Sequence, residues 1–249
     1  NRSFTSRMGT IRNRFKSSLV NQKNGVQVHT LPSAIMMEAQ LSDNMVVTLN
    51  SYLNKLLKDK ERPSHADTLV GQIHQGEQLT MNENAKELQD FGQLICQMGA
   101  DYINNFGQVT GSTMKPKTVN IDELWSVHSY EGDYNPIHDH GTKTLMGISV
   151  TCWTKVPKQI GQQGEVSHNK EYTLYGDSGA CDGFLAFTYG RNEIMNVERL
   201  RPPQSATIQP KVGRLLMFPS WMQHMVYPFF GEGERRTVAA NLNCWDMKE

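Results

Sequence analysis

The apolar positions change their period once along the chain. Before about residue 115 they recur at helical spacing. Val46, Leu49, Leu53, Leu56 and Leu57 share a stripe within residues 43–58, and Leu88, Phe91, Leu94, Ile95, Met98 and Tyr102 form a second. Apolar residues three and four apart are what one face of a helix requires. Thr80 and Glu83 make a T-x-x-E capping pattern, which predicts that the second helix occupies 83–104 and ends by Gly107 and Gly111. Val26, Val28 and Thr30 alternate like a short strand that stops at Pro32, and the polar stretch 62–82 reads as loop.

Beyond residue 115 the pattern becomes strand-like. Segments near 119–130, 144–155, 171–175, 183–189, 205–209, 213–218 and 235–243 are short and rich in Val, Ile, Thr, Tyr, Phe and Leu, with Gly, Pro, Asn and Asp between them. Helices first and strands afterwards predict an α+β domain in which helices brace a β sandwich or barrel. The expected division is a flexible basic tail over 1–25 and a single domain over 26–249. Within that domain, 26–115 is mainly helical support and 116–249 the β core.

Composition narrows the setting. Of the 249 residues, 25 are Lys or Arg and 25 are Asp or Glu, so no net field draws the chain toward nucleic acid or an anionic membrane. The tail carries Arg2, Arg7, Arg12, Arg14, Lys16 and Lys23 without an acidic residue and reads as a solvated segment. Cys96, Cys152, Cys181 and Cys244 are scattered, which argues against a zinc knuckle or a disulfide framework. No apolar stretch approaches the roughly 20 residues of a membrane span, and the N-terminus shows no apolar leader core. The expected location is cytoplasmic.

The densest chemistry lies in Tyr134-Asn135-Pro136-Ile137-His138-Asp139-His140. Residues two apart in a strand point the same way, so His138 and His140 share a face and Asp139 turns from it. Two imidazoles on one face form half of a site for iron, zinc, copper or nickel. The complement is expected from Gly213-Arg-Leu-Leu-Met-Phe218-Pro219-Ser220-Trp221-Met-Gln-His224, an apolar strand running into a turn that ends at a histidine. After the loop Gly231-Glu-Gly-Glu234 comes another strand, Arg235 to Asn241.

Three motifs in this order resemble the 2-oxoglutarate–Fe(II) oxygenase superfamily, and within it a group of small oxygenases common in bacteria and phage. Its G-x-Y-N-x-x-H-x-H reads here Gly132 to His140, its F-P-S-W-x-x-H reads Phe218 to His224, and its E-R-x-S/T-x-A-x-N reads Glu234 to Asn241. The resemblance covers roughly residues 119–243. It implies a double-stranded β-helix of jelly-roll or cupin-like type with N-terminal bracing helices. It also implies Fe(II) held by His138, His140 and His224, with 2-oxoglutarate as cosubstrate. Such enzymes decarboxylate 2-oxoglutarate to succinate and CO₂ and hydroxylate a C–H bond of a second substrate. Arg235 is expected to hold the far carboxylate of the cosubstrate, with Thr237 on the same face and Tyr134 and Asn135 within reach. Arg236 faces the other way and is expected to be dispensable, although a shifted register would exchange the two arginines. Most of the superfamily has H-x-D/E where this chain has His138-Asp139-His140, so a bulge that turned Asp139 inward is the alternative to a three-histidine site.

Other residues read as ordinary. Trp125 and Trp221 are expected to pack rather than clamp substrate. His29, His65, His74, His128 and His168 read as plain polar residues, and the thirteen methionines as core and compositional bias. The expected partner is a peptide, prolyl or small-molecule substrate, with a homodimer as an open option and neither membrane nor nucleic acid. Lys155 to Pro210 is expected to cover the mouth of the site. Two other classes compete: a cupin-like three-histidine dioxygenase without 2-oxoglutarate, for which Arg235 would have no task, and a degenerate binding module.

Overall fold

A computed structural model describes residues 27–31, 34–110, 115–143, 146–161, 181–188 and 205–246. The basic tail, the expected strand at 171–175, His168 and much of the stretch from Lys155 to Pro210 lie outside these residues.

Among the described residues, two antiparallel sheets build the fold. The larger contains seven strands: β1 (Gln27–Leu31), β2 (Ala34–Gln40), β3 (Glu77–Thr80), β4 (Pro116–Ser129), β6 (Ile148–Lys155), β9 (Arg214–Pro219) and β11 (Arg235–Asp246), in the order β1-β2-β9-β6-β11-β4-β3. The smaller contains β5 (Asn135–His138), β7 (Leu185–Thr188), β8 (Ser205–Ile208) and β10 (Gln223–Val226), in the order β5-β10-β7-β8. From β4 onward the chain crosses between the two sheets at every step except β7 to β8.

The helices α1 (Asp43–Leu56) and α2 (Gln89–Thr110) lie on the outer face of the larger sheet. Ser42 caps α1 by accepting from the Met45 amide at 3.3 Å. Leu49 and Leu53 of α1, and Phe91, Ile95 and Met98 of α2, bury against Val238, Ala240 and Leu242 of β11. The inner face carries a second apolar layer, Trp153, Leu216 and Phe218, which meets Leu185 and Phe187 of the smaller sheet. A short α3 (Lys158–Gly161) follows β6.

Several expectations need correction. Residues 26–115 hold the two long helices and also give β1, β2 and β3 to the larger sheet, of which the expected strand near Val28 is one. Thr80 is the last residue of β3 and caps no helix. A 3-10 turn at Lys86–Leu88 leads into α2, which begins at Gln89 and runs through Gly107 to Thr110. The T-x-x-E pattern is outweighed by pairing of β3 with β4. Leu94 of the expected stripe is exposed.

Candidate metal centre

His138 ends β5 and His224 lies in β10, and the two residues are directly opposite in the antiparallel pairing of these strands. Just beyond β5, the His140 amide donates to the Ser220 carbonyl at 2.8 Å, so the chain stays beside the turn between β9 and β10. The ring centroids lie 4.3 Å apart for His138 and His224, 4.9 Å for His140 and His224, and 5.3 Å for His138 and His140. One nitrogen from each ring lies within 4.8 Å of the others. A single ion with bonds of about 2.0–2.2 Å spans at most about 4.4 Å between two ligand atoms, so a small closing of the three rings would let them share one ion. Asp139 is exposed and outside this group.

Hydrogen bonds select the tautomers. His138 Nδ1 lies 2.7 Å from the Pro136 carbonyl and His224 Nδ1 lies 2.9 Å from the Met222 carbonyl. His140 Nδ1 lies 2.7 Å from Asn241 Oδ1. Carbonyl and amide oxygens only accept, so each Nδ1 carries the proton and each Nε2 presents its lone pair. Burial lowers the pKa of all three imidazoles, and His224, the most enclosed, is pushed down to about 3. Three neutral imidazoles with free Nε2 atoms fit a divalent transition metal such as Fe(II), because ligating histidines must be unprotonated.

A cavity of about 60 Å³ adjoins the three rings. Arg235 and Thr237 line it, as does Ala239, so the alternation of β11 places all three on the inner face. Arg235 is 2% exposed. Its Nη1 donates to the Gly183 carbonyl at 3.0 Å and the Tyr227 carbonyl at 3.3 Å, and its Nη2 donates to Ser129 Oγ at 3.2 Å. Its Nε has no partner among the described residues. Burial pulls the guanidinium pKa down to about 10. Among the described residues its hydrogen bonds all go to neutral oxygens; the Phe229 ring lies 5.8 Å from its Cζ, and the Asp133 carboxylate acts on it only through space. That arrangement is costly unless an anion completes it.

Arg236 points to the other side of β11. It is equally buried and pairs with Glu234 through Nε at 2.6 Å and Nη2 at 2.9 Å, while its Nη1 donates to Asn50 and Asn54 of α1. Its expected dispensability is therefore corrected: it does not reach the cavity, but it ties β11 to α1. His128 joins the same cluster, with Nδ1 2.7 Å from Glu234 Oε1. Lys155 adds a third contact to Glu234 at 2.9 Å. These neighbours hold the Glu234 carboxyl well below the usual carboxylate range despite partial burial.

The remaining site candidates divide. Asn135 lines the cavity with its Oδ1 buried and unpartnered among the described residues. Tyr134 is 37% exposed and outside the lining; its backbone instead pairs with Gln72. Trp125 is buried, as expected, and lies 5.7 Å from the His140 ring. Trp221 does not pack: it is 55% exposed. His65 and His128 are not plain surface residues, since His65 stacks on Trp125 at 5.2 Å and His128 is 1% exposed. His74 is exposed.

Sequence reasoning gave no role to Asp133. Its buried carboxylate accepts from the amides of His74 (2.7 Å), Gln75 (3.1 Å) and Tyr130 (2.9 Å). It thereby fastens the segment that brings Leu69 and Val70 to the cavity. A Cβ at Gly76 would overlap the His128 carbonyl, so only glycine allows this approach. A buried Asp in a Gly-Asp turn was the available signal.

Residues 123–241 match the family model described as "Putative 2OG-Fe(II) oxygenase". No curated protein matches the chain in sequence. Among solved structures, a prolyl-4-hydroxylase from Pseudomonas putida is similar at 14% identity and a TM-score of 0.50, covering 89% of this chain and 94% of that one. SnoN, a non-haem α-ketoglutarate-dependent epimerase from nogalamycin biosynthesis, gives 10% identity and 0.51, covering 83% and 77%. HygX from Streptomyces hygroscopicus, determined with nickel, 2-oxoglutarate and hygromycin B bound, gives 10% and 0.50, covering 89% and 84%. At such identities the likeness speaks for the fold, the double-stranded β-helix. Residues 123–241 thus resemble the 2-oxoglutarate–Fe(II) oxygenase family in sequence, and the chain shares its fold with these solved structures.

Proposed function

We propose that this protein is an Fe(II)- and 2-oxoglutarate-dependent dioxygenase that hydroxylates a C–H bond. The observation that carries the reading is one cavity lined by three neutral imidazoles and a buried arginine that no carboxylate hydrogen-bonds among the described residues. His138, His140 and His224 would hold Fe(II) through Nε2. Arg235 would pair with the far carboxylate of 2-oxoglutarate, and the Thr237 hydroxyl on the same face could donate to it. Val150, Leu185 and Phe218 give the cavity apolar walls that keep water from the bound anion. With 2-oxoglutarate and O₂, bound Fe(II) would supply the oxidation that hydroxylates the substrate while the cosubstrate becomes succinate and CO₂.

The three-histidine set also suits a dioxygenase that does not use 2-oxoglutarate. Arg235 argues against this, because without a dicarboxylate its buried charge has no directly hydrogen-bonded anion among the described residues. Peptidyl, prolyl and small-molecule substrates all remain within the proposal; the similar solved structures include a prolyl hydroxylase and an enzyme holding hygromycin B.

The test is anaerobic titration of Fe(II) and then 2-oxoglutarate, followed by O₂ and measurement of succinate against a peptide and metabolite panel. Stoichiometric binding of both, with succinate formation raised by one substrate class, is expected. Iron binding without 2-oxoglutarate binding would favour the three-histidine alternative.

A further inference from the structure

The closing motif of the chain leaves one residue without a task. Asn241 lies on the cavity-side face of β11 with Arg235, Thr237 and Ala239, yet it does not line the cavity and is 4% exposed. Its Oδ1 lies 2.7 Å from His140 Nδ1 and accepts from Ser149 Oγ at 3.1 Å. Its Nδ2 donates to Glu123 Oε2 at 2.9 Å. Ser149 also lies 3.0 Å from His140 Nδ1 and 3.0 Å from Ser220 Oγ.

The direction of this chain is fixed by chemistry. A carboxylate only accepts, so the atom of Asn241 facing Glu123 is its NH₂ group, and the atom facing His140 is its carbonyl oxygen. A carbonyl oxygen requires a proton on His140 Nδ1. Each of the other two imidazoles achieves this through a main-chain carbonyl only two residues away, Pro136 for His138 and Met222 for His224. His140 alone depends on side chains from distant strands. It is also the ligand standing where most of the superfamily has a carboxylate.

We infer that Asn241 and Glu123 together replace that missing carboxylate: Asn241 fixes His140 with Nε2 toward the ion, and Glu123, relayed through Asn241, returns negative charge to the centre from one shell further out. This rests on the metal reading above. A coordinating carboxylate cancels one positive charge and an imidazole does not, so a three-histidine site gains from an outer partner that holds the ring and a carboxylate that polarises the partner. Asn241 and Glu123 are thus positioning residues that act through His140.

The test compares the parent with Asn241→Leu, Ser149→Ala and Glu123→Gln, the last at a half-buried position where shape is kept and only charge is lost. Anaerobic Fe(II) and Co(II) titrations measure affinity, and thermal unfolding of the metal-free proteins measures stability. Nitrogen-15 imidazole spectra of the metal-free proteins read the tautomers directly. Asn241→Leu is expected to weaken metal binding by about 10–100-fold, the range typical of outer-shell partners of ligating histidines. It should release His140 to a mixture of tautomers while His138 and His224 keep theirs. Glu123→Gln is expected to weaken the metal by about tenfold, with the His140 tautomer unchanged. Asn241→Leu that binds metal as the parent does, or retains a single Nδ1–H tautomer at His140, overturns the inference. If Asn241→Leu does not fold, parental metal affinity in Glu123→Gln overturns it equally. A parent that binds neither ion overturns the metal reading and this inference with it.

Discussion

The two faces of β11 are made by alternate residues of one strand and do opposite work. Outward, Val238, Ala240, Leu242 and Cys244 sink into the apolar layer under α1 and α2. Inward, Arg235, Thr237 and Ala239 line the cavity and Asn241 holds His140. Burial is nearly complete on both sides, so burial alone does not distinguish them. The distinction lies in what satisfies each group. Outer residues are satisfied by dispersion and the loss of water. Arg235 is met by neutral oxygens and the Phe229 ring, whereas its neighbour Arg236 pairs directly with Glu234. A register shift of one residue would exchange these environments. The Glu234 cluster with Arg236, His128 and Lys155 opposes such a shift.

This contrast can be broken from either face. The largest effect is expected from the ligands: His224→Ala or His138→Ala should abolish Fe(II) binding in an anaerobic titration while circular dichroism stays that of the parent. On the outer face, Leu242→Ala should cost about 2–5 kcal/mol of unfolding free energy in denaturant, the range for deleting a buried leucine, and leave metal affinity unchanged once the protein is folded. On the inner face, Arg235→Ala should lose the charge-assisted bonds to 2-oxoglutarate, about 1.5–3 kcal/mol. That corresponds to roughly ten- to a hundredfold weaker binding, read by titration into the iron-loaded protein. Arg236→Ala should do the reverse, with 2-oxoglutarate affinity nearly unchanged and stability lower by about 1–3 kcal/mol because buried polar partners are left unmet. Equal effects of the two arginines on 2-oxoglutarate would end the comparison.

A smaller effect concerns pH. Burial depresses the pKa of His138, His140 and His224, in the last case to about 3 from 6.5 in the unfolded chain. Between those values the unfolded chain binds protons that the folded one refuses. The associated stability is therefore fully present above pH 6.5 and is lost as pH falls toward 3. The thermal midpoint of the metal-free protein should decline over that window, and His224→Gln should flatten the decline.

Much of this site is legible in the sequence, for a physical reason. A period of two puts His138 and His140 on one side of a strand, and an apolar run ending in Pro219-Ser220 announces the turn that delivers His224. The core stripe of α1 is legible because its burial is one-sided. The part that β1, β2 and β3 take in the larger sheet is not, because partners such as Met217 opposite Met37 are far away in sequence. The T-x-x-E pattern at Thr80 misleads because local capping is worth less than a strand pairing. Asn241 and Glu123 escape for a related reason. A polar residue in a strand carries no mark of what it will meet, and each here is defined by a partner at least 50 positions away.

The direct pairing of His138 with His224 has a mechanical consequence. Both strands belong to the four-stranded sheet, whose members are each only four residues long and whose described connections leave long intervals of chain between β5 and β10. An ion gripped by both rings would act as a cross-link, closing the loop that begins at residue 138 and ends at residue 224, much as a disulfide restrains an unfolded chain. Amide protons of β5 and β10 would then exchange more slowly in the loaded protein than those of the larger sheet would change, and a chelator would loosen this sheet before the helix-backed one.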